Sequence, residues 1–274
     1  MKTCLSLCIV GWVLSAAAAE PTPIPGTALI TGSDRGIGLA LAREFEQRGW
    51  RVIATCRDPA NAAELAQFAH EHPSVSIEKL DVSDNAAIDA LAAKLKGEPI
   101  DVLVNNAGLS GNFEGQSIAK LDPDDFGRIL RVNSYAPLRV SAAFLDLVAA
   151  SKQRKIVGMS SGLGSLTSVE TLASSGYPYA YYYAMSKAAL NMGLREFAFD
   201  TAQRQVTTVL LSPGPVDTDM QRDLRAYMAK IGKPITSPVL TPAESAHALV
   251  VTIEQLKPEQ SGKFLTRNGA EIPW

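Results

Sequence analysis

From residue 27 onward, short apolar runs alternate with longer amphipathic stretches, and this alternation most constrains the fold. Near-continuous apolar runs such as Val102-Leu103-Val104 are typical of strands buried on both faces. Strands separated by helical stretches imply right-handed crossovers in a parallel sheet. The pattern predicts an α/β fold, a single-domain, doubly wound (Rossmann-type) parallel sheet of about seven strands with helices on both faces. The predicted strands are residues 27–31, 51–55, 75–80, 101–105, 155–160, 206–212 and 263–266.

Residues that favour helix starts support this order of elements. Asp122 can cap a helix that holds Pro123 in its first turn. Thr241 and Glu244 have the spacing of a capping box, before a helix that we expect to run to about Leu256. A first helix is predicted over residues 39–46.

Composition and charge restrict the classes of function. The 274 residues, 46% of them hydrophobic, can bury one large core. A net charge of −2 without a basic stripe argues against nucleic-acid binding. His70 and His72 lack further ligands nearby and His247 is expected on a helix surface, so no metal site is predicted.

The N-terminus has the pattern of a secretory signal: Lys2, an apolar stretch over residues 4–14 and four alanines ending at Ala19. The alternative is an ordered N-terminal helix. The apolar stretch is short for a membrane span, so no integral membrane domain is predicted. We therefore expect a signal-like segment over residues 1–19, a Pro-rich leader over 20–26 and one catalytic domain over 27–274. Removal of the segment takes away Cys4 and Cys8 and leaves Cys56, which excludes an internal disulfide.

A glycine-rich turn follows the first predicted strand and opens the first predicted helix. Glycines there let the main chain approach a pyrophosphate, and the N–H groups at a helix start attract phosphate. A turn without any ligand is the alternative. The residues expected to bind a dinucleotide are Gly32, Ser33, Arg35, Gly36, Ile37 and Gly38.

Further motifs occur in a fixed order along the chain. After the TGxxxGxG spacing come Asn-Asn-Ala-Gly at 105–108, Asn133, Ser160-Ser161, Tyr183-x-x-x-Lys187 and Pro213-Gly214. This combination resembles the short-chain dehydrogenase/reductase family over residues 27–274. The phrases at 52–59, 185–192 and 261–274 are similar to its C-factor and sniffer-type carbonyl reductase branch.

The resemblance implies further cofactor contacts. Asp81 and Val82 should flank the adenine, although Asp81 could equally be a helix-entry residue before Ser83. The 105–108 segment should pass beside the adenosine ribose, through Asn105, Ala107 and Gly108. The loop that holds the nicotinamide should use Pro213, Gly214, Val216 and Thr218.

The cofactor type is inferred from charge. An NAD enzyme places a carboxylate at the end of the second strand, where this chain has Cys56 followed by Arg57. Arg57 and Arg35 can converge on a 2′-phosphate with no competing acid except Asp58 next door. NADP(H) is therefore favoured and NAD(H) remains possible. The alternative is that both arginines are solvated surface charges.

The catalytic residues Tyr183 and Lys187 are four positions apart in the sequence. They are therefore expected on the same face of a helix. A free phenol has a pKa of about 10, which the Lys187 ammonium and the cofactor charge would lower, so that Tyr183 can exchange a proton with a carbonyl oxygen. Lys187 would also bind the nicotinamide ribose. The other reading is an aromatic packing patch, since tyrosines crowd this segment at 177, 179, 181 and 182.

Two more residues complete the expected catalytic set. Ser161 should donate a hydrogen bond to the substrate carbonyl. It precedes Tyr183 by 22 residues, more than the family habit, so residues 166–178 contain an insertion expected at the substrate rim. Ser165 or Ser168 is the alternative serine. Asn133 takes the family's proton-relay position, or is a helix-interior asparagine bonded to the main chain.

The sequence thus predicts an NADP(H)-dependent oxidoreductase that moves hydride between nicotinamide and a ketone, aldehyde or secondary alcohol. The alternatives are a C-factor-like dinucleotide-binding signalling or sensor protein with little turnover, and a paralogue with a dead site. Residues 219–238 are expected to form a lid, or a plain helix packed on the sheet. The family resemblance implies a homodimer or homotetramer. The signal-like segment indicates export or a membrane tether, whereas the cofactor indicates the cytoplasm.

Overall fold

The computed structural model describes residues 25–116, 119–174 and 180–274. The signal-like segment, most of the leader, Tyr177 and Tyr179 lie outside the described residues. Seven parallel strands form one sheet in the order β3-β2-β1-β4-β5-β6-β7, which confirms the predicted fold. Each strand matches its prediction to within one residue at either end. The strands are β1 (Thr27–Ile30), β2 (Arg51–Cys56), β3 (Val75–Lys79), β4 (Val102–Asn105), β5 (Lys155–Met159), β6 (Thr207–Ser212) and β7 (Phe264–Thr266).

Helices connect the strands and cover the sheet. The predicted caps are present: Asp122 accepts hydrogen bonds from two N–H groups of the next helix, and Thr241 and Glu244 form the capping box. The first helix begins at Gly36, before the predicted start, because the glycine-rich turn itself winds into its first turn. The helices are α1 (Gly36–Gln47), α2 (Ala63–Glu71), α3 (Asn85–Lys94), α4 (Pro123–Leu130), α5 (Ala136–Ala149), α6 (Val169–Ser174), α7 (Tyr181–Asp200), α8 (Asp219–Lys230) and α9 (Pro242–Gln255).

The core has two halves, one on each face of the sheet. Successive residues of a strand point to opposite faces, so Ile30 packs with α1, α2 and α9, whereas Leu29 packs with α3, α5 and α7. Helix α7 approaches β5 very closely, since a Cβ on Gly158 would lie 2.4 Å from a methyl of Leu194. This contact fixes the depth of α7 against the sheet.

The strand order reverses direction at β1 and β4, where β2 and β3 lie to one side and β5 to β7 to the other. Such a switch point leaves a crevice outside the carboxyl ends of the strands, where ligands bind in open α/β sheets. In the described part of the chain, no helix is both long and apolar enough to cross a membrane.

Candidate active site

Two cavities open along the carboxyl edge of the sheet. The larger cavity, about 380 Å³, is lined by the glycine-rich turn and by the ends of β2, β3 and β4. The smaller cavity, about 300 Å³, is lined by the segment after β5, the loop after β6 and α8. They form one groove, because six residues line both: Ile37, Ser160, Tyr183, Pro213, Thr218 and Met220.

The glycine-rich turn can be built only with glycine at its critical positions. Gly32 and Gly36 have φ values of +68° and +56°, which favour glycine. A Cβ on Gly38 would lie 2.0 Å from the carbonyl oxygen of Gly32 and 2.6 Å from Nδ2 of Asn106. That amide holds the turn by donating to the carbonyls of Thr31 and Gly32, both at 3.0 Å.

The N-terminus of α1 faces the larger cavity, which Gly36, Ile37 and Gly38 line. Helix α4 has its first N–H groups capped by Asp122, but α1 has no capping side chain and no acidic residue in its first turn. Helix N–H groups left in this way bind anions. The turn therefore fits the pyrophosphate of a dinucleotide.

The far end of the larger cavity carries opposite charges. Arg35 and Arg57, the residues expected to bind a 2′-phosphate, both line it together with Cys56. Asp34 lines it as well, so the expectation of no competing acid beyond Asp58 is wrong. The turn curls so that Asp34 lies near the end of β2, where burial, and then Asp34, raise the pKa of the Cys56 thiol.

Arg35 forms an ion pair with Asp219 at the start of α8, at 3.5 Å. Both side chains are exposed, and such surface pairs contribute little free energy. An anion in the cavity can therefore compete with Asp219 for Arg35.

Asp81 and Val82, expected beside the adenine, both line the larger cavity. The Asp81 carboxylate accepts from the N–H and the hydroxyl of Ser83, at 2.8 and 2.7 Å. Burial pushes the pKa of Asp81 upward, but these two bonds and the charge of Arg57 outweigh it and hold the pKa below its usual value. The helix-entry role belongs to Asp84, which caps α3.

Two residues predicted to bind the cofactor point elsewhere. The Ser33 hydroxyl is buried and donates to the carbonyl of Ile30. Asn105 ends β4 with its amide buried against helix α5, where it donates to Ser141 at 3.0 Å. Neither residue lines the cavity, because each lies one position away from the residue that does, Asp34 and Asn106. Ala107 and Gly108, expected beside the adenosine ribose, line the cavity.

Tyr183 and Lys187 face one space from the first two turns of α7, as their spacing predicts. The Lys187 ammonium lies 5.5 Å from the centre of the Tyr183 ring and donates to the carbonyl of Met159 at 2.7 Å. Both side chains line the larger cavity, and Tyr183 also lines the smaller one. Burial lowers the pKa of Lys187 to about 8.

Asn133 lies in a π-helical turn, Arg131–Tyr135, between α4 and α5. Its carboxamide accepts from the N–H of Leu109 and donates to the carbonyl of the same residue, both at 2.8 Å. It also donates to Ser186, whose hydroxyl donates to the carbonyl of Tyr183. Asn133 thus holds the segment after β4 against the catalytic helix, and bonds the main chain of another segment rather than its own helix.

Gln116 also positions the catalytic helix, and no motif in the sequence signals it. Its buried side-chain oxygen accepts from the N–H groups of Tyr182 and Tyr183, at 3.1 and 3.4 Å. Its amide donates to the carbonyl of Ser110 at 2.7 Å. Because Ala180 offers no capping side chain, Gln116 caps α7 from a distant loop.

Ser161 and Tyr183 both line the smaller cavity. The Ser161 oxygen accepts from the N–H of Leu163 at 3.2 Å, which leaves its hydrogen for an acceptor in the cavity. The alternative serines do not line either cavity: Ser165 donates to the carbonyl of Pro273, and Ser168 donates to Ser165. The geometry therefore favours Ser161.

The loop after β6 and the predicted lid close the smaller cavity. Pro213, Gly214, Val216 and Thr218 line it, and the first part of the lid is helix α8, which contributes Met220 and Leu224. Across the cavity, the ring of Tyr227 stacks on Phe113 at 6.0 Å and Lys230 pairs with Glu114. Leu172, in the predicted insertion, lines the rim; residues 175–179 lie outside the described residues.

Metal ligands do not cluster in the part of the chain that the structure describes. His72 and His247 instead contact Glu46 and Glu44 on the surface, each at 2.9 Å.

Comparison with known proteins agrees with this geometry. The family described as short chain dehydrogenase matches residues 26–229. The chain therefore belongs to the short-chain dehydrogenase/reductase family, as its motifs predict.

Individual proteins are similar over most of the chain. Carbonyl reductase Sniffer of D. melanogaster aligns with a TM-score of 0.79 and 27% identity, over 91% of this chain and 99% of that one. The NADPH-bound carbonyl reductase from chicken fatty liver aligns with a TM-score of 0.78 and 32% identity, over 92% and 100%. C-signal of Myxococcus xanthus is 36% identical over 68% of this chain and 99% of its own length. The predicted resemblance to the sniffer-type and C-factor branch is confirmed.

Proposed function

We propose that this protein is an NADP(H)-dependent oxidoreductase that reduces ketones or aldehydes, or oxidises the corresponding alcohols. The observation that carries the proposal is the position of Tyr183, on the wall shared by the two cavities, with Lys187 in the larger and Ser161 in the smaller. A cofactor in the larger cavity and a carbonyl compound in the smaller one would meet at this phenol.

The residues of the chain act on the carbonyl oxygen. NADPH, when bound, supplies the hydride. Ser161 donates a hydrogen bond to the carbonyl oxygen, which stabilises the negative charge that develops there. Tyr183 gives its phenolic proton to the same oxygen, and the alcohol forms. In the reverse direction Tyr183 takes the proton back.

Lys187 supports both binding and proton transfer. Its ammonium lies at the floor of the larger cavity, where it can donate to the hydroxyls of a nicotinamide ribose. Its positive charge stabilises the phenolate that Tyr183 becomes after giving up its proton. Asn133, bonded to Ser186 and Leu109, keeps the helix and the segment after β4 in place around this group.

NADP(H) is preferred over NAD(H) in this proposal, because Arg35 and Arg57 both border the far end of the larger cavity. Planar guanidinium groups suit a phosphate monoester. The negative charge of Asp34 partly offsets the attraction of these two arginines for a phosphate. The NADPH-bound chicken liver enzyme, which is similar over nearly its whole length, supports the same preference.

The smaller cavity favours uncharged substrates. Among the described residues that line it, none is Asp, Glu, Lys, Arg or His, and Phe113, Leu163, Leu172, Met220 and Leu224 supply apolar surface. An ionised carboxylate would lose its hydration there without a counter-charge. We therefore propose apolar ketones and aldehydes as the substrate class.

A homodimer or homotetramer through the catalytic helix is part of the proposal. Helix α7 exposes Met185, Met192 and Phe199, which are seven residues apart and so lie on one face. Large apolar side chains exposed along one helix face suit an association surface.

The alternative function, a dinucleotide-binding signalling or sensor protein, is supported by the similarity to C-signal. Ser161, Tyr183 and Lys187 around one groove, with Asn133 buried behind them, favour the enzyme, because a sensor needs only the larger cavity.

The test is oxidation of NADPH and NADH by the purified full chain over a panel of carbonyl compounds, with neutral and carboxylated members matched in size. The proposal expects turnover with NADPH, slower turnover with NADH, and preference for the neutral members. Tight NADPH binding without turnover on any member would contradict it and favour the sensor.

A further inference from the structure

Residues 271–274, here called the return segment, fold back beside β7 after a tight turn. Glu271 bridges Leu265 in antiparallel fashion, and the N–H of Ile272 donates to the carbonyl of Phe264 at 2.8 Å. The Trp274 ring lies 5.6 Å from the Phe264 ring, between their centres. The return segment is therefore tied to the edge of the sheet.

The return segment also binds residues 161–168, here called the serine loop. The hydroxyl of Ser165 donates to the carbonyl of Pro273 at 2.7 Å. The N–H of Thr167 donates to the main-chain oxygen of Trp274 at 2.9 Å, and its hydroxyl donates to the same oxygen. More than a hundred residues separate these partners in sequence, so the bonds are tertiary contacts rather than turn geometry.

The serine loop lies against the catalytic helix on its other side. A Cβ on Gly164 would lie 2.9 Å from the main chain of Lys187, and Asn191 donates to the Gly164 carbonyl at 3.2 Å. Four residues further along α7, the Arg195 guanidinium lies 4.5 Å from the centre of the Trp274 ring. One face of α7 thus holds both the serine loop and Trp274.

We propose that Trp274 is a positioning residue that holds Ser161 at the distance from Tyr183 that the reaction needs. The inference rests on the proposed function. Ser161 begins the serine loop, whose far end is bonded to the return segment. Because Trp274 packs on Arg195 of the same helix that carries Tyr183, it fixes the loop and the helix relative to each other. The glycine-rich turn has no part in this arrangement.

The kinetic test compares Trp274→Ala, Trp274→Phe, Ser161→Ala and the Ser161→Ala/Trp274→Ala double variant in the full chain. Ser161→Ala should lower kcat about 100-fold, the typical cost of one lost donor to a developing oxyanion. Trp274→Ala should lower kcat about tenfold through misplacement of Ser161, with the Kd for NADPH unchanged. Trp274→Phe, which keeps an aromatic ring on Arg195 and Phe264, should restore most of the rate.

The double variant separates positioning from general stability. If Trp274 acts through Ser161, the Trp274→Ala change should cost little more once Ser161 is alanine. Losses that multiply in full would overturn the proposal, and so would an equal weakening of NADPH binding.

Amide hydrogen exchange of the cofactor-free protein gives a second readout that does not need turnover. Trp274→Ala should speed exchange in residues 162–168 and leave residues 31–38 unchanged. Should the parent protein turn over no carbonyl compound, the proposed function fails and this readout alone decides the coupling. Unchanged exchange in residues 162–168 would refute it.

Discussion

The two cavities are built in different ways. The larger cavity is walled mainly by the glycine-rich turn, the start of α1 and the ends of β2, β3 and β4, which the sheet places. The smaller cavity is walled mainly by loops and by α8, and distant parts of the chain hold these segments through contacts such as Glu114 with Lys230 and Ser165 with Pro273. A local motif is therefore enough to specify the first cavity, whereas the second depends on contacts that no single segment encodes.

The substitution with the largest expected effect disrupts the glycine-rich turn that lines the larger cavity. Gly38→Ala places a methyl group 2.0 Å from the Gly32 carbonyl, so the turn must move. We expect loss of detectable NADPH binding in a fluorescence titration, and a fall of about 3 kcal/mol in the free energy of unfolding by denaturant.

Gly127→Ala is the matched control, because a Cβ there meets no described atom within 4 Å. It lies in α4, where alanine is favoured over glycine by up to about 1 kcal/mol. NADPH binding should stay unchanged. A Gly38→Ala protein that binds NADPH normally would show that the turn does not form the cofactor site.

Lys187 carries a buried charge beside the larger cavity. The pKa of Lys187 is about 8 in the folded protein against 10.5 for an ordinary lysine, so the unfolded state binds more protons between these values. The free energy of unfolding of the cofactor-free protein should therefore rise with pH from about 8 to about 10.5, by about 3 kcal/mol in total.

Denaturant unfolding at a series of pH values tests this rise. Lys187→Met should abolish it, while Met in place of the exposed Lys233 should leave it intact. A rise of equal size in Lys187→Met would mean that another group causes it.

A smaller effect is expected at the far end of the larger cavity. Arg57→Ala should weaken NADPH binding about tenfold, the range for a lost charge-assisted hydrogen bond. NADH is the internal control, because it lacks the 2′-phosphate and its Kd should not change. Equal weakening of NADPH and NADH binding would mean that Arg57 packs against the cavity wall and does not bind the 2′-phosphate.

The smallest effect should come from the closure of the smaller cavity. Glu114→Gln removes the charge that pairs with Lys230, and pairs between exposed side chains contribute little free energy. We expect a KM for the carbonyl substrate raised about threefold, with kcat and the Kd for NADPH unchanged. Lys230→Met should give the same result, and high salt should reproduce it in the parent. A change in NADPH affinity would show that closure of the smaller cavity also affects cofactor binding in the larger one.

The same contrast explains what could be predicted from the sequence. The strands were predicted almost to the residue, since runs of Val, Ile and Leu and their spacing report burial in a parallel sheet directly. The resemblance to the family singles out Tyr183 and Lys187, and helical periodicity explains why they lie on one face. The sequence assigns Ser33 and Asn105 to the cofactor site, whereas Asp34 and Asn106 line the larger cavity, because a motif does not say which way each side chain of a turn points.

Other residues of the site are not marked by any pattern in the sequence around them. Gln116 caps α7 from 66 residues away, and Trp274 reaches the serine loop from 107 residues away. Hydrophobic pattern and capping rules describe neighbours along the chain, so such contacts emerge only when the fold brings the segments together.

The Tyr183 hydroxyl transfers the proton in the proposed reaction, and the neighbouring tyrosine offers a matched control. Among the described residues the buried Tyr182 hydroxyl finds no hydrogen-bond partner, so Tyr182→Phe should leave structure and rate intact. The most direct measurement is the single-turnover rate of NADPH oxidation by Tyr183→Phe and Tyr182→Phe on a neutral carbonyl substrate. We expect no detectable turnover by Tyr183→Phe, with NADPH binding retained, and the parent rate for Tyr182→Phe. Turnover that survives in Tyr183→Phe would show that another group delivers the proton.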